Sequence, residues 1–356
     1  PRPPRRFRYH EYAMTIAPAA RATNARGYAY LISIVAALSG LLFGFDTAVI
    51  NGALPFLRDE FRLSDWEVEL VAGVLLWGCA VGSALAGVIS DRFGRRKTLV
   101  FAAIVFAAAA IGSAIPRGLT ELALARFAGG LAVGVASVLA PMYIAEVAPP
   151  HVRGGLVSIN QFAIVIGVLS AYIINWKLAG LGPDNWRWMF GVAAVPSLAF
   201  FIGLMFIPES PRWLVHRGFT DTARTVLTKI SNAAGAEAEI QAIEKSLQEE
   251  SSFSYRELLK PGIRRAVILG SVLMILTQVT GINTIIYYGS LLLRDHAGQS
   301  ATSAIGANVL IGTTNFFTTI LAMFTIDRLG RKALLMIGSA GMCLSLTGLG
   351  FAFGMN

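Results

Sequence analysis

The sequence is poor in charged residues and in cysteine. Asp, Glu, Lys and Arg make up 14% of its 356 residues, whereas hydrophobic residues make up 55%. A soluble domain has about 25% charged residues, so this chain has too little polar surface for a water-soluble globule. The two cysteines, Cys79 and Cys343, lie in separate apolar stretches, which excludes a disulfide framework. The chain also lacks a nucleotide-binding Gly-rich loop with lysine, a metal-ligand cluster and a nucleophile triad, so we expect no enzyme activity, no cofactor and no metal.

What the chain does contain is a series of apolar stretches of about 20 residues, each long enough to cross a bilayer as a helix. Hydropathy and polar breaks predict nine spans, near residues 28–50, 69–90, 98–115, 120–143, 155–175, 188–207, 265–289, 303–326 and 333–354. The predicted fold class is therefore an all-α polytopic membrane protein embedded in a lipid bilayer.

The positive charges lie between the spans and predict an orientation. If the N-terminus is cytoplasmic, 23 Lys and Arg residues face the cytoplasm and six face outward. Basic residues concentrate in cytoplasmic loops of membrane proteins, so this bias predicts a multi-pass protein of the cell membrane with a cytoplasmic N-terminus. The same distribution explains the net charge of +9 without a nucleic-acid partner.

A short charged motif occurs twice. Residues 91–97 follow the second span and residues 327–332 follow the eighth, and both begin with Asp-Arg-x-Gly-Arg. Repeated halves are typical of transporters, so two six-helix bundles are expected, and this chain would be a fragment with nine of twelve spans. The predicted regions are a basic cytoplasmic tail at 1–27, the first bundle at 28–207, a cytoplasmic helical connector at 208–264, and the first three helices of an incomplete second bundle at 265–356.

Two ionisable residues lie well inside the predicted spans. Asp46 is in the first span and Arg126 in the fourth, and charges within a membrane are functional candidates because they are costly to insert. Both lie roughly 6–9 Å below the outer edge, which predicts that they pair. Burial favours the neutral carboxylic acid and the guanidinium favours the carboxylate, so the pair is a candidate proton switch. A permanent ion pair that only joins two helices is the alternative.

A set of motifs in a fixed order resembles the sugar porters of the major facilitator superfamily, over nearly all of residues 27–353. The motifs are GFDTAVI at 44–50, the two charged repeats, PMYIAE at 141–146, NQF at 160–162, WRWM at 186–189, PESPRWL at 208–214, and GIN at 281–283. The resemblance implies a two-bundle transporter that binds a monosaccharide or related polyol and alternates access. It also implies a proton-linked symporter, because the family has aspartate at the Asp46 position in symporters.

By the same resemblance, a set of amide and aromatic residues would bind the sugar. Amides both donate and accept hydrogen bonds, as sugar hydroxyls require. Gln278 and Asn283 are about 140° apart on an ideal helix, so a shared ligand requires a local break, which Gly281 would permit. Thr277 replaces a glutamine that is common in the family, which leaves the sugar unidentified. The alternative role for these amides is interhelical hydrogen bonding. The predicted substrate-binding residues are Phe43, Gln161, Gln278, Asn283, Tyr287 and Asn315.

The charged loops are predicted to form an ion-pair network that closes the cytoplasmic exit. Both copies of the repeat are expected in one cluster with acidic and basic residues of the neighbouring loops. The alternative is that these loops are basic only because Lys and Arg concentrate on the cytoplasmic side of membrane proteins. That alternative would not explain the acidic residues of the loops. The predicted gate residues are Asp91, Arg92, Arg95, Arg96, Glu146, Arg153, Glu209, Arg212, Asp327, Arg328 and Arg331.

The sequence therefore predicts proton-coupled sugar symport by a monomer, with the proton as the coupling ion. A facilitative uniporter, a sugar sensor that does not transport, and an inactive fragment remain as alternatives.

Overall fold

The computed structural model describes residues 19–149, 152–231, 233–251 and 261–354, and these residues form fourteen helices. The first seven are α1 Ala19–Phe61, α2 Asp65–Phe93, α3 Arg95–Ala114, α4 Leu119–Val147, α5 Arg153–Leu178, α6 Asn185–Gly191 and α7 Ala194–Phe206. The others are α8 Pro211–His216, α9 Thr220–Ile230, α10 Ala233–Ser251, α11 Pro261–Val279, α12 Ile282–Ala297, α13 Ala301–Leu329 and α14 Arg331–Gly354.

Eight segments of the described chain are long and apolar enough to cross a membrane. They coincide with the first eight predicted spans, and the ninth predicted span lies in α14, a helix of 24 residues. Most of the basic tail (residues 1–18) and part of the connector (residues 252–260) lie outside the described residues.

Two of the predicted spans are each divided into two helices. The sixth span consists of α6 and α7, and Pro196 explains the division because its nitrogen cannot donate a hydrogen bond to the preceding turn. The seventh span consists of α11 and α12. Gly281 lies between them with φ +78°, a left-handed conformation that glycine adopts without steric cost. The break that was expected at Gly281 is therefore present.

Helix α1 organises the first bundle. It contacts most of the helices of that bundle and also α12 and α13 of the second half. Gly40, Gly44 and Gly52 lie on the face of α1 that touches α5, where an added Cβ would overlap Asn160, Ile164 and Asn175, respectively. Small residues allow two helices to approach this closely. Asp46 is two residues after Gly44, about 200° around the helix, and therefore points away from α5.

The connector helices α8–α10 lie at one end of the bundle, which we call the connector side, and the opposite end is the distal side. Helices α1 and α5 also contact α12 and α13, and these contacts join the two predicted halves. Most of α11 and α14 and the connector-side part of α13 are exposed. In the described residues the halves thus meet towards the distal side and are apart at the connector side.

Candidate functional site

Asp46 and Arg126 form a buried ion pair between α1 and α4. Arg126 Nη1 donates to Asp46 Oδ1 at 2.6 Å, and the two side chains are 10% and 1% exposed, Asp46 first. The guanidinium also lies 5.3 Å from the centre of the Phe190 ring on α6. The pairing expected from their depths is therefore confirmed.

This pair can respond to a single proton. A protonated Asp46 would no longer attract the guanidinium as a carboxylate does, and a buried charge that loses its partner costs about 3–5 kcal/mol. Arg126 would have to find other partners or move. Protonation at this position can therefore change how α1 and α4 pack.

The break in the seventh span brings two predicted sugar ligands together. Asn283 Nδ2 on α12 donates to Gln278 Oε1 on α11 at 2.7 Å. A continuous helix would hold these side chains on different faces, so the left-handed Gly281 makes the contact possible. An amide pair of this kind still has donors and acceptors for sugar hydroxyls.

The other four predicted sugar ligands lie on four different helices. Tyr287 on α12 is buried and Phe43 on α1 is half-buried, while Gln161 on α5 and Asn315 on α13 are exposed. Their neighbours Phe162 and Phe316 have ring centres 5.5 Å apart, so α5 and α13 meet at this level. The structure thus places these residues near the junction of the two halves, and their role in binding remains a prediction.

On the connector side, one part of the predicted gate forms a connected cluster. Arg95 pairs with Asp91 at 3.0 Å and with Glu146 of α4 at 3.1 Å. Ser210 Oγ donates to the same Glu146 at 2.5 Å. Glu209 Oε1 accepts from the backbone N–H of Arg96 at 2.9 Å. The cluster therefore ties the α2–α3 turn to α4 and to the start of the connector.

Two further gate residues bind the connector rather than this cluster. Arg153 pairs with Glu239 of α10 at 3.7 Å, and Arg212 donates to Ser246 Oγ at 3.4 Å. Arg92 is exposed, with its guanidinium 5.4 Å from the Phe93 ring centre. It follows Asp91 by one residue, about 100° around the helix, which turns it away from Arg95.

The second copy of the repeat does not join the cluster, which corrects the prediction of a single network. Arg328 and Arg331 are exposed and form no ion pair within the described residues, and the side chain of Asp327 lies outside them. The physical reason is that the halves are held together on the distal side. Their connector-side ends are apart, so opposite charges there do not meet.

Sequence reasoning missed a buried polar contact between the halves. Asn51 of α1 is fully buried and donates to the backbone oxygen of Ile286 at 2.9 Å. Its own oxygen Oδ1 accepts from the N–H of Ser290 at 3.2 Å, and its Nδ2 lies 3.5 Å from Asn308 Oδ1 of α13. A lone amide in a span does not identify its partner, so only the docked halves reveal this contact.

Sequence reasoning also missed a set of ion pairs at the distal ends of α1 and α12. Arg58 pairs with Asp295 at 2.8 Å, and Asp59 pairs with Arg294 at 2.9 Å. Arg58-Asp59 and Arg294-Asp295 are two doublets in which the arginine of each can pair with the aspartate of the other. This pattern is the sequence feature that could have predicted the contact. We call these two pairs the distal ion pairs.

Comparisons with known proteins agree with this fold. The family described as "Sugar (and other) transporter" matches residues 32–356. The arabinose-proton symporter of Bacillus subtilis is 40% identical over 337 residues, which cover 93% of this chain and 72% of that protein. The D-xylose-proton symporter of Escherichia coli is 39% identical over 358 residues, covering 92% of this chain and 72% of that protein.

A solved structure has the same architecture. The xylose transporter XylE from E. coli, in a partially occluded inward-open conformation, matches with a TM-score of 0.81 and 37% sequence identity. The match covers 92% of this chain and 79% of that one.

The fold and these similarities define a multi-pass membrane transporter of the major facilitator type rather than an enzyme. More narrowly, the chain belongs to the sugar transporter family.

Proposed function

We propose that this protein is a proton-coupled symporter that moves a monosaccharide, a hexose, a pentose or a related polyol, across the membrane by alternating access. It acts as a monomer in the cell membrane with its N-terminus in the cytoplasm. The proton is the coupling ion, and no other cofactor takes part.

The observation on which this proposal depends is the buried Asp46–Arg126 pair. A facilitator has no need of a carboxylate at this depth, because an intramembrane charge is costly unless it has a function. The similarity to proteins described as arabinose-proton and D-xylose-proton symporters supports the same conclusion.

The pair is well placed to link proton binding to a change of shape. Asp46 lies on α1, which also holds Asn51 and the distal ion pairs to α12. When Asp46 is protonated, Arg126 loses its partner and α1 is released from α4. The contacts between α1 and α12 then rearrange, and the second copy of the charged repeat joins the connector-side cluster to close the opposite exit.

The sugar would bind where the halves meet. Gln278 and Asn283 offer amide groups at the α11–α12 break, and Gln161 and Asn315 offer exposed amides on α5 and α13. Phe43 and Tyr287 offer aromatic faces to the ring of the sugar. Because all of these ligands are neutral, the site suits an uncharged polyhydroxylated molecule.

The experiment that tests the proposal is Asp46→Asn, measured as sugar uptake into vesicles with and without an imposed proton gradient. The amide cannot release a proton, so accumulation driven by the gradient should fall at least about tenfold. Exchange of labelled for unlabelled sugar should persist, because it requires no net proton movement.

The matched control is Asp221→Asn, in which the same change falls on a fully exposed residue of α9. This variant should accumulate sugar as the unmodified protein does. If Asp46→Asn also accumulates sugar fully, the proton switch is wrong. Uptake by the unmodified protein that ignores the proton gradient would indicate facilitated diffusion instead.

A further inference from the structure

A small cavity lies beside the ion pair. It has a volume of about 10 Å³, close to the minimum space for one water molecule. Helices α1, α3, α4 and α6 enclose it, and its walls include Asp46, Phe106, Ser113, Arg126, Gly129 and Phe190. The cavity therefore adjoins the carboxylate that the proposed function requires to take up a proton.

Arg126 has one donor that the ion pair does not use. Its Nη1 and Nη2 atoms face Asp46, whereas its buried Nε has no hydrogen-bond partner among the described residues. A buried donor without a partner costs about 1–3 kcal/mol. A polar molecule of the size of water in the adjoining cavity would remove this cost.

None of the predicted sugar ligands is among the residues that line the cavity. Asp46 points away from α5, the helix that holds Gln161, and the cavity walls come from α3, α4 and α6 instead. Ser113 is the penultimate residue of α3, and the next residue, Ala114, accepts a hydrogen bond from Arg187 at the distal end of the bundle. The residues that line the cavity therefore include one in the last turn of α3, at its distal end.

We infer that this cavity is a water site through which the coupling proton reaches Asp46 from the distal side, along α3, α4 and α6 and separately from the sugar. The inference depends on the proposed function. In the transfer, an O–H bond of a hydronium ion breaks and an O–H bond to the carboxylate forms. The products are a neutral acid and a water molecule, and no electrons are exchanged.

Among the residues that the structure describes, few charged or titratable groups surround Asp46. Arg126 faces it from α4, and Cys79 of α2 and Tyr287 of α12 interact with it electrostatically. The described parts of α3 and α6 that line the cavity contribute Ser113 and no ionisable side chain. Neither Cys79 nor Tyr287 lines the cavity, so water is the group best placed to deliver the proton.

Gly129→Ala tests the inference because it fills the cavity with one methyl group. The added Cβ would lie 3.7 Å from Asp46 Oδ2 and 3.4 Å from the Cβ of Ala109, which are ordinary contacts. Alanine is also preferred to glycine within a helix, so the variant should fold. Gradient-driven sugar accumulation should fall about tenfold or more, whereas sugar exchange should stay within about twofold of the unmodified protein.

Gly191→Ala on α6 is the matched control. Its Cβ would lie 3.5 Å from the Cβ of Ala114, also an ordinary contact, and it does not line the cavity. Both activities should be unchanged. If Gly129→Ala fails to fold, as judged by size-exclusion chromatography, Ser113→Val fills the same cavity from α3 and should give the same loss.

The outcomes separate this inference from the proposed function. The water site alone is overturned if Gly129→Ala accumulates sugar normally while Asp46→Asn is defective. Ser113→Val replaces Gly129→Ala in this comparison if the latter does not fold. Full accumulation in Asp46→Asn overturns both. Loss of exchange together with accumulation in a folded Gly129→Ala shows that the cavity affects sugar movement, which also contradicts a separate proton route.

Discussion

Arg126 is surrounded by three different kinds of neighbour. A carboxylate lies against one edge of its guanidinium, an aromatic ring lies over its face, and a cavity adjoins the side chain, whose Nε has no hydrogen-bond partner among the described residues. Lysine could match the charge but not the planar contact with Phe190 or the separate Nε donor. The residue type is therefore explained by the geometry and not by charge alone.

At the residue scale, the amide pair at the α11–α12 break gives a direct prediction. Gln278→Ala and Asn283→Ala should each weaken sugar binding roughly two- to twelvefold, because a hydrogen bond contributes about 0.5–1.5 kcal/mol. Binding can be measured by titration calorimetry with a panel of pentoses and hexoses.

The matched control for these amides is Gln241→Ala on the exposed face of α10 in the connector. Its affinity should equal that of the unmodified protein. Unchanged affinity in both Gln278→Ala and Asn283→Ala would show that this amide pair is a structural contact and that the sugar binds elsewhere.

The residues differ in how far the sequence predicts their contacts. The Asp46–Arg126 pair was predictable because only two charges lie deep in the spans and helix geometry gives both the same depth. The partners of Asn51 were not, because they are backbone groups of α12 and a side chain of α13. Such contacts depend on how the halves dock, which no local pattern reports.

Among the elements, α1 has the widest set of contacts. It runs for 43 residues and contains Asp46, Asn51 and the distal doublet Arg58-Asp59. Periodicity predicted its apolar centre at 28–50 but not its extension to Phe61, because the last turns are polar and resemble a loop. The break at Gly281 was predictable, since two side chains that should act together lie on different faces of a continuous helix.

The distal ion pairs lead to a prediction at this scale. Removing both arginines with Arg58→Ala/Arg294→Ala should weaken the contact between α1 and α12 and open the distal side. The probe is a cysteine introduced by Tyr288→Cys. This position is half-buried and lines a cavity of about 390 Å³ that Glu69 also lines. The native cysteines are removed by Cys79→Ala and Cys343→Ala. Labelling by an impermeant maleimide should be about two- to thirtyfold faster, because two exposed ion pairs contribute roughly 0.2–1 kcal/mol each.

Arg224→Ala is the control for this measurement. It also removes an arginine from two ion pairs, with Asp221 and Glu237, but these lie in the connector. Labelling at Tyr288→Cys should not change in this variant. An equal rate in the double variant and the unmodified protein would show that the distal ion pairs do not hold the halves together.

At the scale of the whole molecule, the class of fold was predictable from the sequence. The conformational state, that is, which side of the molecule is closed, was not. Long apolar segments and the repeated charged motif define the spans and the two halves. Whether the two copies of that motif touch depends on which side of the molecule is closed. In this structure the halves meet distally, so the copies are apart even though their charges are complementary.

The bias of Lys and Arg predicts that the connector faces the cytoplasm. In the cysteine-free background, Thr222→Cys on the exposed face of α9 should react with an impermeant reagent in inside-out vesicles only. Gly180→Cys, which is exposed on the distal side, should react in right-side-out vesicles only. The reverse pattern would contradict the predicted orientation.

The contacts on the two faces of α1 allow sugar preference to change without a change in proton coupling. The glycines that touch α5 lie on one face, and Asp46 points the other way towards α4. Substitutions on α5 that alter sugar preference would leave the proton-binding face intact. A lineage, or a protein engineer, can therefore exchange one cargo for another while the stoichiometry of energy conversion stays fixed.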